Sequence, residues 1–379
     1  MIKLPVLLLL AAIGHAVPAQ TPVTVEQFEK LLATLHNQRD AKAARQLAGL
    51  ELTERASSPR LARWQTDFKG ERTRQVLTAV ADRSAFLQLP AADLPAAATP
   101  DLPTQRKIMS LTIDYVNRTL HKLPNFFALR TTIRFEVGTA AQLLLQKQAQ
   151  LDALNDSLNN SWNEHRALGA ENQAGSKGPR LFFAGTFDKL VTYRDGEEVE
   201  DSPSRGKKHS KPLPPGLTTN GEFGPILYVV LGDAARGKVE WDHWEQGADG
   251  HLAVFRYQVP EEISRYGIVS AANDKHEYPA YHGEIAVDPE SGAILRITIE
   301  SEPTRSRSVS ESGILVEYGP VVIGGSTYIC PVRGVAISKV PTGRAQLNST
   351  TTLAPLLTEL NDVSFTSYHL FRSEVRILP

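Results

Sequence analysis

Two short segments hold most of the residues that could do chemistry. Glu240-Trp-Asp-His-Trp-Glu245 brings together Asp242 and His243 with Trp241 and Trp244, and His276 to Glu284 adds His276, Tyr281, His282 and Glu284. Imidazole titrates near neutrality, so histidines beside carboxylates suit general acid–base work or metal binding. The candidate catalytic set is His243, His276 and His282 with Asp242 or Glu284. The candidate ligand contacts are Trp241, Trp244 and Tyr281. On a regular strand, Trp241 and His243 would share one face and Asp242 and Trp244 the other. The competing reading is a wet strand face stabilised by aromatic cross-strand pairs, with no reaction at all.

Other signatures fail on spacing. His276-Glu277 opens like a zinc-protease helix, but position 280 is Ala280 and Pro279 would break the helix that aligns two ligands. No metal and no cofactor are therefore expected. The Gly-x-Ser-x-Gly elbow is absent. Ser204-Arg-Gly-Lys207 matches Ser-x-x-Lys only inside a Pro/Gly-rich loop and lacks a Lys-Thr-Gly companion. The basic run Arg205, Lys207, Lys208, His209 and Lys211 has no interleaved aromatics on which bases could stack. With 41 basic against 42 acidic residues, net charge −1, global charge gives no reason to expect nucleic acid.

The N-terminus carries the clearest signal. Met1-Ile2-Lys3 is a short basic start, Leu4 to Ile13 is apolar, and Val17-Pro18-Ala19 supplies small residues. That layout is a secretory signal peptide over 1–19, cleaved between Ala19 and Gln20. An apolar run of about ten residues falls short of the roughly 18 a spanning helix needs, so no transmembrane span is expected after its removal. The expected location is the periplasm or the exterior. A single cysteine, Cys330, excludes an intramolecular disulfide, and its strand-like surroundings predict a buried thiol.

The elements that must position these residues follow from hydrophobic period. From Thr24 to Leu87 apolar residues recur at helical spacing, with Thr24 and Gln27 as a capping box and Ser58-Pro59 as a second start. This predicts a small helical domain over 20–89. Residues 90–102 are an Ala/Pro linker. A helix is expected from about Pro103 to His121, a helical insertion over 139–165, and a short helix from Gly224 to Ala235. Twofold alternation otherwise dominates after the linker. It is punctuated by Asp195-Gly196, a Gly-rich turn at Gln246 to Gly250, Pro289 to Gly292 and Gly324-Gly325, with a polar loop over 202–216. Gly319-Pro320 is read as a further interruption. Strands joined by short turns pair antiparallel. The expected class is α+β: a small N-terminal helical bundle, then a curved antiparallel meander over 103–379 with a packed helix.

Gly216-Leu-Thr-Thr-Asn-Gly-Glu-Phe-Gly224, His243-Trp-Glu-Gln-Gly247, Tyr281-His-Gly-Glu284, Val316-Glu-Tyr-Gly-Pro320 and Tyr328-Ile-Cys-Pro331 resemble an uncharacterised family of exported bacterial proteins. The likeness covers mainly residues 20–135 and 210–379. The helix-then-meander order is similar, more remotely, to the lipoprotein-carrier and sigma-factor-regulator half-barrels of the periplasm. That resemblance implies a curved sheet around a helix with acyl chains in its concavity. The leading expectation is a non-enzymatic exported protein whose sheet holds an apolar ligand or a protein partner. The observation that would bear on it most is whether an apolar-lined cavity exists beneath the long helix. The alternatives are a hydrolase built on the His/carboxylate set, and an envelope assembly or sensor module docked through the helical domain.

Overall fold

The computed structural model describes residues 21–119, 122–139, 143, 179–199, 216–270, 275–301, 309–341 and 356–371. The signal segment with Ala19 and Gln20, most of the 139–165 insertion, and the 202–216 loop apart from Gly216 lie outside them.

The N-terminal part is helical: α1 (Val25–Leu35), α2 (Asp40–Leu47), α3 (Ser58–Asp67) and α4 (Glu71–Arg83). Thr24 caps α1 in a capping box, its side chain accepting from the Gln27 backbone N–H while Gln27 accepts from the Thr24 N–H. Asp40 serves both ends of a helix contact. It begins α2, and its carboxylate accepts from the Thr73 backbone N–H at 2.9 Å and the Thr73 hydroxyl at 2.6 Å, so it caps α4 from outside. The periodic apolar residues meet in one core, with Phe28 tilted against Trp64 at 4.9 Å between ring centres. Each such fully buried large side chain contributes roughly 1.5–3 kcal/mol. A parallel pair, β1 (Thr21–Val23) with β2 (Leu50–Leu52), ties the start of this unit to the segment between α2 and α3. Hydrophobic period does not reveal it, because three-residue strands carry no measurable repeat.

Ten of the described strands after the linker form one open antiparallel sheet. Its strands are β3 (Phe126–Gly138), β4 (Arg180–Arg194), β5 (Glu197–Val199), β6 (Lys238–Gln246), β7 (His251–Val259), β10 (Tyr281–Val287), β11 (Ile294–Ser301), β12 (Glu311–Ile323), β13 (Ser326–Pro341) and β14 (Leu356–Leu370). Their order is β5-β4-β3-β14-β13-β12-β11-β10-β7-β6, and every pairing is antiparallel. The α+β class is thus what the chain adopts, and the sheet does not close. A separate hairpin, β8 (Ile268–Ser270) with β9 (Lys275–Glu277), stands beside it. Gly319-Pro320 does not interrupt β12. Pro320 sits within the ladder opposite Ile329, and the irregularity is a bulge at Glu317/Tyr318. The turn falls at Gly324-Gly325, where φ is +60° and +89°, values glycine adopts without strain.

The two faces of the sheet are covered differently. The row Phe135, Leu315, Val335 and Leu360 packs with Ala79 and Ala85 of the helical unit. We call this the bundle face. The opposite face carries α5 (Leu102–Thr119) and α6 (Pro225–Ala234), where Ile108, Val116 and Val230 meet Phe255, Ile285 and Ile297. The Ala/Pro segment passes between them at edge strand β6, where Trp244 Nε1 donates to the Ala98 carbonyl at 2.8 Å.

Candidate functional site

The bundle face gathers much of the His/carboxylate set, but as ion pairs. Glu245 of β6 accepts from Arg296 Nη1 and Nη2 at 2.5 and 2.7 Å and from Arg55 Nη2 at 2.5 Å. Glu284 lies 3.4 Å from both arginines. Arg55 comes from the helical unit, so this balanced group of two arginines and two glutamates bolts the bundle to the sheet. Burial opposes ionisation of Glu245, yet Arg296, His243 and Arg55 outweigh it and hold the carboxyl far below its ordinary range. His243 Nδ1 pairs with Asp242 Oδ2 at 2.8 Å, and Asp242 Oδ1 with Arg256 at 2.8 Å. His243 Nε2 faces Glu245 at 3.7 Å. Burial disfavours the imidazolium, but contacts from Glu245 and Asp242 raise its pKa above the ordinary value.

A second charged group lies on the same face. Arg333 of β13 bonds Asp82 of α4 and sits 3.3 Å from Asp362 and 3.7 Å from Glu317. Three carboxylates share one guanidinium there. Burial, reinforced by Asp362 and Glu317, pushes the Asp82 carboxyl up to about 8 against the pull of Arg333.

The sequence-level candidates divide as follows. Asp242, His243 and Glu284 come together. His282 shares their face but is half-exposed at its rim, 3.9 Å from Glu300, along a cleft of about 300 Å³ that Glu284, Arg256 and Arg55 also line. Burial and Glu284 push the Glu300 carboxyl up to about 7. His276 lies on β9 in the separate hairpin and is exposed, so it does not join them. The expected pairing of Trp241 with His243 is overturned. A bulge between Trp241 and His243 breaks the alternation, so Trp241 (opposite Phe255) and Trp244 (opposite Ala253) share the helix-covered face while His243 takes the bundle face. The two tryptophans pack edge-to-face at 4.9 Å. Tyr281 is 2% exposed in the core, and its hydroxyl donates to Asp233 Oδ2 at 2.9 Å. Tyr281 and His282 border an open depression of about 730 Å³ with Arg236 and Lys238, and none of the three aromatics borders the more enclosed apolar cavity of the sheet.

That cavity lies on the helix-covered face and holds about 500 Å³. Ile226 and Val229 of α6 roof it, Ile299 and Ile314 of adjacent strands floor it, and Ser312 and Ser338 add hydroxyls. The cavity sits beneath α6, and no residue of the long helix α5 lines it; against α5, a Cβ on Gly292 (φ +76°) would run into the backbone of Leu111 and Thr112. One wall is the segment 216–221, which polar bonds fasten to the sheet. Arg134 Nη2 and Asn361 Nδ2 donate to the Leu217 carbonyl at 2.8 and 2.7 Å, and the Leu217 N–H donates to Glu359 at 2.8 Å. Arg130 donates to the Thr219 carbonyl and hydroxyl, both at 2.6 Å, and the Thr219 hydroxyl donates to Glu222 at 2.6 Å. Glu198 accepts from the Gly221 and Phe223 N–H groups at 2.9 Å each. Linear order offers no cue to this wall. Arg130 and Arg134 alternate like any strand residues, and their acceptors on the wall lie 89 and 83 residues away.

Among the described residues, no group of three or more histidine, cysteine or carboxylate side chains is arranged to hold a metal ion. No described helix is long and apolar enough to cross a membrane. Cys330 is buried, and burial pushes its thiol up to about 12. No protein-family model, curated protein or solved structure matches this chain.

Proposed function

We propose that this chain is an exported binding protein that holds an apolar ligand in the cavity between α6, the 216–221 segment and the sheet. The observation that carries the reading is the cavity itself. Ligand sites run to roughly 300–1,000 Å³ and combine an apolar lining with a few polar groups, and a space of about 500 Å³ floored by Ile299 and Ile314 fits that description. The basic-then-apolar N-terminus supports export. The hydrolase reading has less support, because His243 sits between two carboxylates, an arrangement that gives a general base nothing to activate.

The test is a titration of the full chain with the apolar fluorophore phenylnaphthylamine. Saturable binding of one probe per chain is expected. Val229→Trp and Ile314→Trp, each filling the space, should weaken it about tenfold or more, a loss of roughly 1.4 kcal/mol, while unfolding remains cooperative. A chain that takes up no probe, or probe binding unchanged in both variants, overturns the proposal.

A further inference from the structure

The geometry points to an acidic amphiphile as the ligand, its carboxylate or phosphate head docked on Arg265 at the cavity wall. This rests on the cavity reading above. Arg265 borders the cavity, and its side chain is 54% exposed. It is already half-immobilised. Its backbone N–H donates to Asp233 Oδ2 at 2.8 Å and its Nε to Asp233 Oδ1 at 2.6 Å. Asp233 is fully buried near the end of α6 and takes two further donors, Tyr281 Oη at 2.9 Å and Arg236 Nη2 at 2.8 Å. Two guanidinium groups on one carboxylate leave one positive charge in excess.

The pinned Nε fixes which edge of the guanidinium remains for a ligand. The two Nη groups form a planar fork that matches an acidic head, and a fork already oriented loses little entropy on binding. Gly232 supplies the seat. Its backbone is helical, so no special φ demands glycine there, yet a Cβ would run into Arg265 Nη2. Only the missing side chain lets the guanidinium lie against α6. The other charged residue on the lining, Glu359, is already bonded to the Leu217 N–H beside Arg134. Among the described residues the cavity thus has an apolar body, with Ile226, Val229, Ile299 and Ile314, and one cationic end at Arg265.

The experiment titrates the full chain with palmitate, hexadecyl phosphate and hexadecanol, below the concentrations at which they aggregate. At least one acid should bind about tenfold or more tightly than the alcohol, and which one does so identifies the head. Arg265→Gln should bring the acids down to the alcohol's affinity and leave the alcohol unchanged. Asp233 keeps Arg236 and Tyr281 in that variant, so it should fold. Gly232→Ala should reduce the preference for acid by displacing the guanidinium. Equal binding of acid and alcohol by the natural chain, or an equal loss for all three in Arg265→Gln, overturns the head assignment alone. No binding by any of the three overturns the cavity reading with it.

Discussion

The two faces of the sheet use their polar residues in opposite ways. On the bundle face, charged side chains meet each other in the interior: Arg55 and Arg296 with Glu245 and Glu284, and Arg333 with Asp82, Glu317 and Asp362. The charges there are spent on one another, and the cleft of about 300 Å³ beside them is lined by polar side chains such as Arg55, Arg256 and Glu284. On the helix-covered face, Arg130 and Arg134 reach backbone carbonyls of the 216–221 segment and hold a wall over empty apolar space. The same residue types fasten a domain on one side and frame a cavity on the other. What separates the two outcomes is whether a packed apolar layer lies beneath the charges.

The largest test of this contrast is on the bundle face. Arg55→Ala strips Glu245 and Glu284 of a partner and leaves their charge facing Arg296, with His243 beside Glu245. Breaking a buried pair costs about 3–5 kcal/mol, and chemical denaturation should show a loss of that order. Probe binding per folded molecule should not change, because the cavity lies on the other face. If binding falls in step, the two faces are coupled and the contrast fails.

A smaller effect is expected on the cavity side. Thr219→Val removes the hydroxyl that accepts from Arg130 and donates to Glu222. Hydrogen bonds to charged groups contribute about 1.5–3 kcal/mol, so a stability loss in that range should accompany faster release of phenylnaphthylamine in stopped flow. An unchanged release rate would show that the 216–221 wall does not control access.

The smallest effect sharpens the difference in charge. His243 has its pKa raised in the folded chain, so the stability it contributes is fully present below its ordinary value near 6.5 and lost as pH rises through the folded value. Asp82 is also raised, to about 8, because its neutral form is the one the fold favours. Its contribution is likewise full below its ordinary value near 3.8 and lost as pH climbs through about 8. Asp82→Asn should therefore flatten the decline in melting temperature between about pH 4 and pH 8, and His243→Gln the part of it that sets in above about pH 6.5. A decline that persists unchanged in both variants would place the titrating group elsewhere.

Much of the architecture could be read from local pattern. Thr24 and Gln27 announced α1, Gly224-Pro225 opened the short α6, and the Asp195-Gly196 pair marked the β4–β5 hairpin, because caps and turns act within a few residues. The alternation of Ile297, Ile299, Ile314 and Val316 placed them inside a sheet. The functional reading was less legible. One extra residue in β6 reversed which neighbours Trp241 and His243 share, and a bulge has no period to detect. Tyr281 looked like a ligand contact, and its hydroxyl is taken by the buried Asp233, a partner 48 residues away that no local pattern announces.

The chain's own sequence determined its class, its helix starts and hairpin turns, the antiparallel run of strands and the burial of Cys330, since each depends on short-range sterics or hydrophobic period. Only the tertiary structure decided that Arg55 would meet Glu245 across 190 residues, that Arg265 would lie on Gly232, and that a cavity would open beneath α6. Those outcomes depend on how finished elements stack, and side-chain volume and charge are matched there between residues that nothing in linear order brings together.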